Sequence, residues 1–197
     1  MPTPKEHWNY TIEEWSKPEF QNILSSLPNI ETFFDIGANV GGVTEIIRRK
    51  YPNLRAYCFE PVLVNYQELT SNVPYAVCIQ KGVYYGQSES FVLWRGSNDG
   101  AYFVEHIDAG EPRIRTGEKM ELVELESLDL PTPDLIKLDV EGAEENIIQH
   151  SRIVKECQNL IIEWHPSKDP IAFFKEHLPN HKIVVNLSNM QFLLCLK

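Results

Sequence analysis

A chain of 197 residues, 43% hydrophobic and 23% charged, can bury a sizeable core as one domain, which excludes the disordered class. Its net charge of -10 works against bulk binding to nucleic-acid phosphates. Cys58, Cys78, Cys157 and Cys195 form no CxxC pair, and no run approaches the ~20 apolar residues of a membrane span. With no signal peptide in the polar start MPTPKEHWNY, the expectation is a soluble, cytoplasmic protein with reduced thiols and no membrane span.

In chain order, residues 1–30 read as a helical preface. Thr11 and Glu14 have capping-box spacing, Trp15, Phe20, Ile23, Leu24 and Leu27 form an apolar stripe, and Pro18 splits or kinks the helix. A single domain over 31–197 follows. Strands are expected at 32–36, 54–59 and 75–79, with helices at 42–50 and from about 62 to 70 between them. Residues 135–140 and 159–164 continue as strands, separated by a helix from 142 to about 155. A helix over 170–178 and strands at 182–187 and 191–196, joined by a hairpin-length link, end the chain. This alternation predicts a doubly wound α/β sheet covered on both faces, with one antiparallel strand at the end. Residues 83–130 break the rhythm with short strands at 90–94, 101–105 and 120–125, read as an antiparallel β insertion at about 86–126 between the third and fourth core strands. Its loop at 97–103, with Asn98 and Asp99, is placed to close over a ligand.

Two motifs carry chemistry. Gly37 and Gly41 flank Asn39 in a turn between the first strand and its helix, where small residues let a ligand approach the backbone. Glu60 ends the second strand, 23 residues after Gly37, and a carboxylate there can accept both hydroxyl hydrogens of a ribose. Asp35, an anion just before the turn, disfavours a pyrophosphate and suits a cationic sulfonium or amino group. That points to S-adenosylmethionine rather than a dinucleotide.

The second motif places Asp139, Glu141 and Glu144 around the carboxyl end of the fourth core strand. Glu141 and Glu144 fit a first helical turn as caps, whereas Asp139 lies at the crevice edge where ligands dock. Lys137 shares the side-chain parity of Asp139 and is expected in an ion pair inside the sheet. Glu163 and His165 end the fifth strand at the same edge.

Together the segments FDIGANVG at 34–41, FEP at 59–61, LIKLDVEGAEENII at 135–148 and LIIEWH at 160–165 resemble the FkbM family of S-adenosylmethionine-dependent methyltransferases. The resemblance implies the seven-stranded class I methyltransferase (Rossmann-like) sheet in the order 3-2-1-4-5-7-6. It also implies O-methylation of sugars or secondary metabolites, cofactor roles for Asp35, Gly37, Asn39, Gly41 and Glu60, and a place for Asp139 near the reaction centre.

A hydroxyl is a poor nucleophile at neutral pH, so its proton must go to a base or its oxygen to a metal. Asp139, Glu163 and His165 are the candidates, as bases or as ligands for Mg2+ or Mn2+. The leading reading is an O-methyltransferase for a small-molecule or glycan acceptor. Alternatives are a protein or RNA methyltransferase, supported by a basic cluster of Arg113, Arg115 and Lys119, and a noncatalytic nucleoside-binding protein.

Overall fold

The computed structural model describes residues 4–86, 89–94, 102–104, 114–165, 169–187 and 192–197. Two helices, α1 (Pro4–Trp15) and α2 (Pro18–Ser26), precede β1 (Thr32–Ile36) and α3 (Gly42–Lys50). Pro18 separates the first two helices by opening α2, where its fixed φ suits a first turn. Thr11 is not a cap: α1 starts seven residues earlier, and Thr11 lies within it. Next come β2 (Arg55–Phe59), α4 (Leu63–Asn72), β3 (Val77–Ile79) and β4 (Gly82–Val83). The insertion supplies β5 (Glu89–Trp94), β6 (Tyr102–Val104) and β7 (Ile114–Val123). The chain closes with β8 (Leu135–Leu138), α5 (Glu144–His150), α6 (Arg152–Glu156), β9 (Asn159–Glu163), α7 (Pro170–His177), β10 (Lys182–Leu187) and β11 (Phe192–Leu196).

The main sheet runs β3-β2-β1-β8-β9-β11-β10, with β11 antiparallel to both neighbours and every other pairing parallel. In core-strand numbering this is the 3-2-1-4-5-7-6 order. Alternation along the central strands explains why helices cover both faces. Phe33, Leu135 and Ile161 pack with Phe20, Ile23 and Ile47 of α2 and α3, while Phe34, Ile136 and Ile162 pack with Ile147, Val154 and Phe174 of α5 to α7. Truncating a buried phenylalanine on either side to alanine typically costs about 3–5 kcal/mol.

Two details differ from the pattern in the sequence. The helix expected from 142 to 155 is two helices, because Ser151 turns extended and its hydroxyl accepts the Val154 amide at 3.1 Å, capping α6. β7 is ten residues long and pairs with β5 and β4 in a four-stranded sheet, order β4-β7-β5-β6. Its first half, Ile-Arg-Thr-Gly-Glu, lacks the apolar alternation that marks a strand and pairs through its backbone. Residues 97–101, including Asn98 and Asp99, and the 188–190 link lie outside the described residues. Among the described residues no helix is long and apolar enough to cross a membrane. All four cysteines are free; Cys157, though not in an apolar run, is buried, and Cys78 is half-buried.

Candidate active site

The turn after β1 takes left-handed conformations at Gly37 (φ 81°), Asn39 (φ 50°) and Gly41 (φ 90°). The amides of Gly37 and Ala38 both donate to the Phe59 carbonyl, at 3.0 and 2.9 Å, which ties the turn to the end of β2. A Cβ on Gly37 would lie 1.7 Å from the Asp139 carbonyl oxygen, so this glycine lets the ends of β1 and β8 meet. Gly41 does not line the cavity described below; a Cβ there would press on Leu69 and Val73 at 2.9 and 3.2 Å.

Glu60 is 5% exposed and receives two backbone donors: the Asn39 amide at Oε2 and the Val62 amide at Oε1, each at 2.9 Å. Burial outweighs these hydrogen bonds and pushes its carboxyl up to about 7. The Asn65 side chain is a third donor to this carboxylate, which has about four lone-pair sites in all.

Beneath the turn, Lys137 is buried and shared by three partners. Its Nζ donates to the Gly37 carbonyl at 2.7 Å, pairs with Asp139 at 2.9 Å and reaches Asp35 at 3.5 Å. Burial alone would push this ammonium down, but Asp139 and Asp35 hold it well above the ordinary lysine range. The expected ion pair is present. Asp35, by contrast, does not line the cavity: it is fully buried, accepts the Thr44 hydroxyl at 2.6 Å and faces Lys137. Its position one pleat inside the strand end, among apolar neighbours, leaves the carboxylate directed into the protein.

At the ends of β8 and β9 four carboxylates surround one imidazole. His165 Nδ1 is 2.9 Å from Glu144 Oε1, and Nε2 is 3.5 Å from Glu141 and 3.6 Å from Glu163. Burial opposes charging the ring, yet the hydrogen bonds to Glu144 and Glu163 push it up to about 12, so it carries its proton at neutral pH. Glu144 is the first residue of α5, fully buried, and also accepts the Val140 amide at 3.1 Å. Glu141 lies outside the helix, in a left-handed turn (φ 57°). Burial tends to raise Asp139, but Lys137 and then His165 hold it below the usual carboxylate range. Glu163 moves the other way: burial and the neighbouring Asp139 charge push it up to about 7.

These groups open onto a cavity of about 400 Å3 that runs along the carboxyl edge of the sheet. Gly37, Asn39 and Glu60 line one end and Asp139, Glu163 and His165 the other. The sequence had not pointed to α1, which supplies His7, Tyr10, Thr11 and Glu14 to the wall. The spacing 7-10-11-14 is one helical face and was the available signal. From the insertion side come Lys81, Gly82 and Met120. Arg113 and the side chain of Arg115 lie outside the described residues, so the expected basic cluster is represented by exposed Lys119 alone.

The model of the FkbM methyltransferase domain matches residues 35–192 of this chain. The chain belongs to the FkbM family. A curated relative, the hexuronic acid methyltransferase AglP of Haloferax volcanii, is 28% identical over 152 residues, 75% of this chain and 62% of that protein. The methyltransferase FkbM from Methylobacillus flagellatus superposes with a TM-score of 0.59 at 14% identity, covering 100% of this chain and 56% of that one. Precorrin-6y C5,15-methyltransferase from Geobacter metallireducens gives 0.54 at 13% identity, covering 92% and 90% of the two chains. The fold is therefore the class I methyltransferase fold. This FkbM chain spans less than two thirds of the length of AglP and of the Methylobacillus protein.

Proposed function

We propose that this chain is an S-adenosylmethionine-dependent O-methyltransferase acting on a hydroxyl of a sugar, a glycan or a small metabolite. The observation that carries the reading is the single cavity joining the Glu60 end of the crevice to the carboxylates after β8 and β9. Family membership supports methyl transfer, and the name of the AglP relative supports a sugar acceptor.

The residues fit the cofactor. Glu60, held by the Asn39 and Val62 amides and the Asn65 side chain, keeps acceptor capacity for a ribose hydroxyl. Asn39, in the cavity wall, has a buried Oδ1 with no protein partner. Gly37 keeps the turn narrow, while Asp35 and Gly41 act from behind it, by anchoring Lys137 and by packing against α4. When bound, the cofactor supplies an electrophilic methyl group and leaves as a neutral thioether.

This chain's own contribution is to hold the acceptor and take its proton. A base is most effective when its pKa lies near the working pH. Glu163, at about 7, meets that condition; Asp139 is too acidic, and His165 is already protonated. In this scheme Glu163 takes the hydroxyl proton as the oxygen forms its bond to carbon. Asp139 contacts the acceptor and restrains Lys137, and His165 is a positioning residue that fixes Glu163. Much of the rate advantage then comes from alignment, since in-line displacement depends on near-attack geometry.

A second reading has a specific observation behind it. Ligand atoms of Asp139, Glu141 and His165 lie within 4.8 Å of one another and could hold Mg2+ or Mn2+ if His165 gave up its proton. Both readings are tested together by calorimetry with S-adenosylmethionine, then by S-adenosylhomocysteine release over a panel of sugars with and without EDTA. Binding with acceptor-dependent release supports the assignment, and no binding removes it. Loss of activity in EDTA, restored by Mg2+ or Mn2+, replaces the base with the metal.

A further inference from the structure

We infer that α1 is the acceptor-binding wall of the cavity, and that Tyr10 and Glu14 select an uncharged, polyhydroxylated acceptor over one bearing a carboxylate. This rests on the methyl-transfer reading above and adds the chemical class of the acceptor. α1 lies wholly before the matched residues 35–192, so the family match does not assign it a role.

The placement is specific. Thr11 packs on the start of α3: its Cβ and Cγ2 lie 2.8 Å from where a Cβ on Gly42 would be, so a larger residue at 42 would lift the helix. On the same face, Tyr10 is 62% exposed and its hydroxyl donates to Glu14 Oε1 at 3.3 Å. Both feel the reaction end across the cavity. Burial raises Glu14 and the Asp139 charge adds to it; Glu14 is the largest influence raising Tyr10, and Glu163 contributes.

The charge pattern decides the class. Glu14, Asp139, Glu141 and Glu163 present carboxylates to the cavity. At the reaction end the described cations are engaged: Lys137 by Asp35 and Asp139, His165 by Glu141, Glu144 and Glu163, and Lys81 by Glu121 at 3.0 Å, while His7 and Lys17 lie on the α1 side, where Lys17 acts on Glu14. At the reaction end a carboxylate on the acceptor would meet like charge from acids whose cations are already paired, which disfavours it by repulsion. Hydroxyl groups have the opposite preference, because each can donate to a carboxylate oxygen. The exposed Tyr10 ring adds an apolar face for the C–H side of a pyranose.

The test uses the protein loaded with S-adenosylhomocysteine and two probes, methyl β-D-glucopyranoside and D-glucuronate, compared by saturation-transfer NMR titration. The glucoside should bind at least about tenfold more tightly than glucuronate, and Glu14→Lys should narrow or invert that ratio. Tyr10→Ala should weaken the glucoside roughly tenfold, and Glu14→Gln should reduce the discrimination without inverting it. Circular dichroism melts check that these helix-surface variants fold. Equal or tighter glucuronate binding, an unchanged ratio in Glu14→Lys, or no binding of either sugar overturns the inference. Calorimetry of S-adenosylhomocysteine alone reports separately on the methyl-transfer reading, which fails if the wild type does not bind it.

Discussion

Protonating Glu60 should weaken the cofactor as effectively as replacing it. Each Glu60 oxygen already accepts one backbone amide, and burial leaves the carboxyl at about 7. With the Asn65 side chain as a third donor, a ribose hydroxyl needs the remaining lone pair, which only the carboxylate offers, so binding is linked to loss of one proton. The observed dissociation constant should then scale as 1 + 10^(pKa − pH), roughly tenfold weaker near pH 6 than near pH 8, or about 1.4 kcal/mol. Calorimetry in buffers of different ionisation enthalpy, near neutral pH, should show about half a proton released per ligand bound. Glu60→Gln should abolish the dependence and lower affinity, since its amide sets an N–H against a backbone N–H and leaves one donor unpaired, at about 1–3 kcal/mol. Glu163 titrates in the same range, so Glu163→Gln is the control and should keep the slope. A flat profile in the wild type, or an undiminished slope in Glu60→Gln, would refute the reasoning.

Other outcomes follow from the same geometry. Asp139→Asn should cut turnover roughly a hundredfold or more with S-adenosylhomocysteine affinity kept, as stopped-time assays and calorimetry would show. Glu163→Gln should do likewise and remove the acidic limb of the pH–rate profile near neutrality. Gly37→Ala combines positive φ with a contact at 1.7 Å and should fail to fold or lose several kcal/mol, whereas Gly86→Ala, with nothing within 4 Å, should cost only about 1–2 kcal/mol in urea melts. Glu60 and Glu163 bind protons more tightly folded than unfolded, so each favours the fold below about pH 4.5 and that stability is lost as pH rises through about 7. The melting temperature of the apo protein should reflect this by falling over that window, and added S-adenosylhomocysteine should offset part of the fall.

The parts legible from residue order were those where one local signal dominates. β1 is five residues buried on both faces, and α3 is bounded by the glycine turn and a basic last turn, so both begin and end as read. Asp139, Glu163 and His165 meet at one edge because parallel strands must carry their ends to the same side. What was not legible depends on long-range choices. Asp35 turns inward because Lys137, about a hundred residues later, competes for it, and no local pattern shows which partner wins. Glu144 reads as a cap, but α5 has no side-chain cap: Glu144 accepts the Val140 amide ahead of the helix, and its contact with His165 depends on the next strand. The wall made by α1 required knowing where α1 docks.

Lys137 makes the crevice hard to alter piecemeal. One ammonium serves the turn carbonyl of Gly37, the inner acid Asp35 and the outer acid Asp139. Removing it strands the buried Asp35 and leaves the partly exposed Asp139 unpaired, and removing Asp35 leaves the cation short of a buried counter-charge, a step that costs about 3–5 kcal/mol in buried pairs. Sequence drift through this set must therefore proceed by paired changes, and descendants of this protein should exchange these positions together or keep them. α1 is seated instead by packing on α3, with Thr11 against Gly42, so its cavity face can diversify one residue at a time. New acceptors should then arise by substitution at 7, 10 and 14 long before the ends of the strands change.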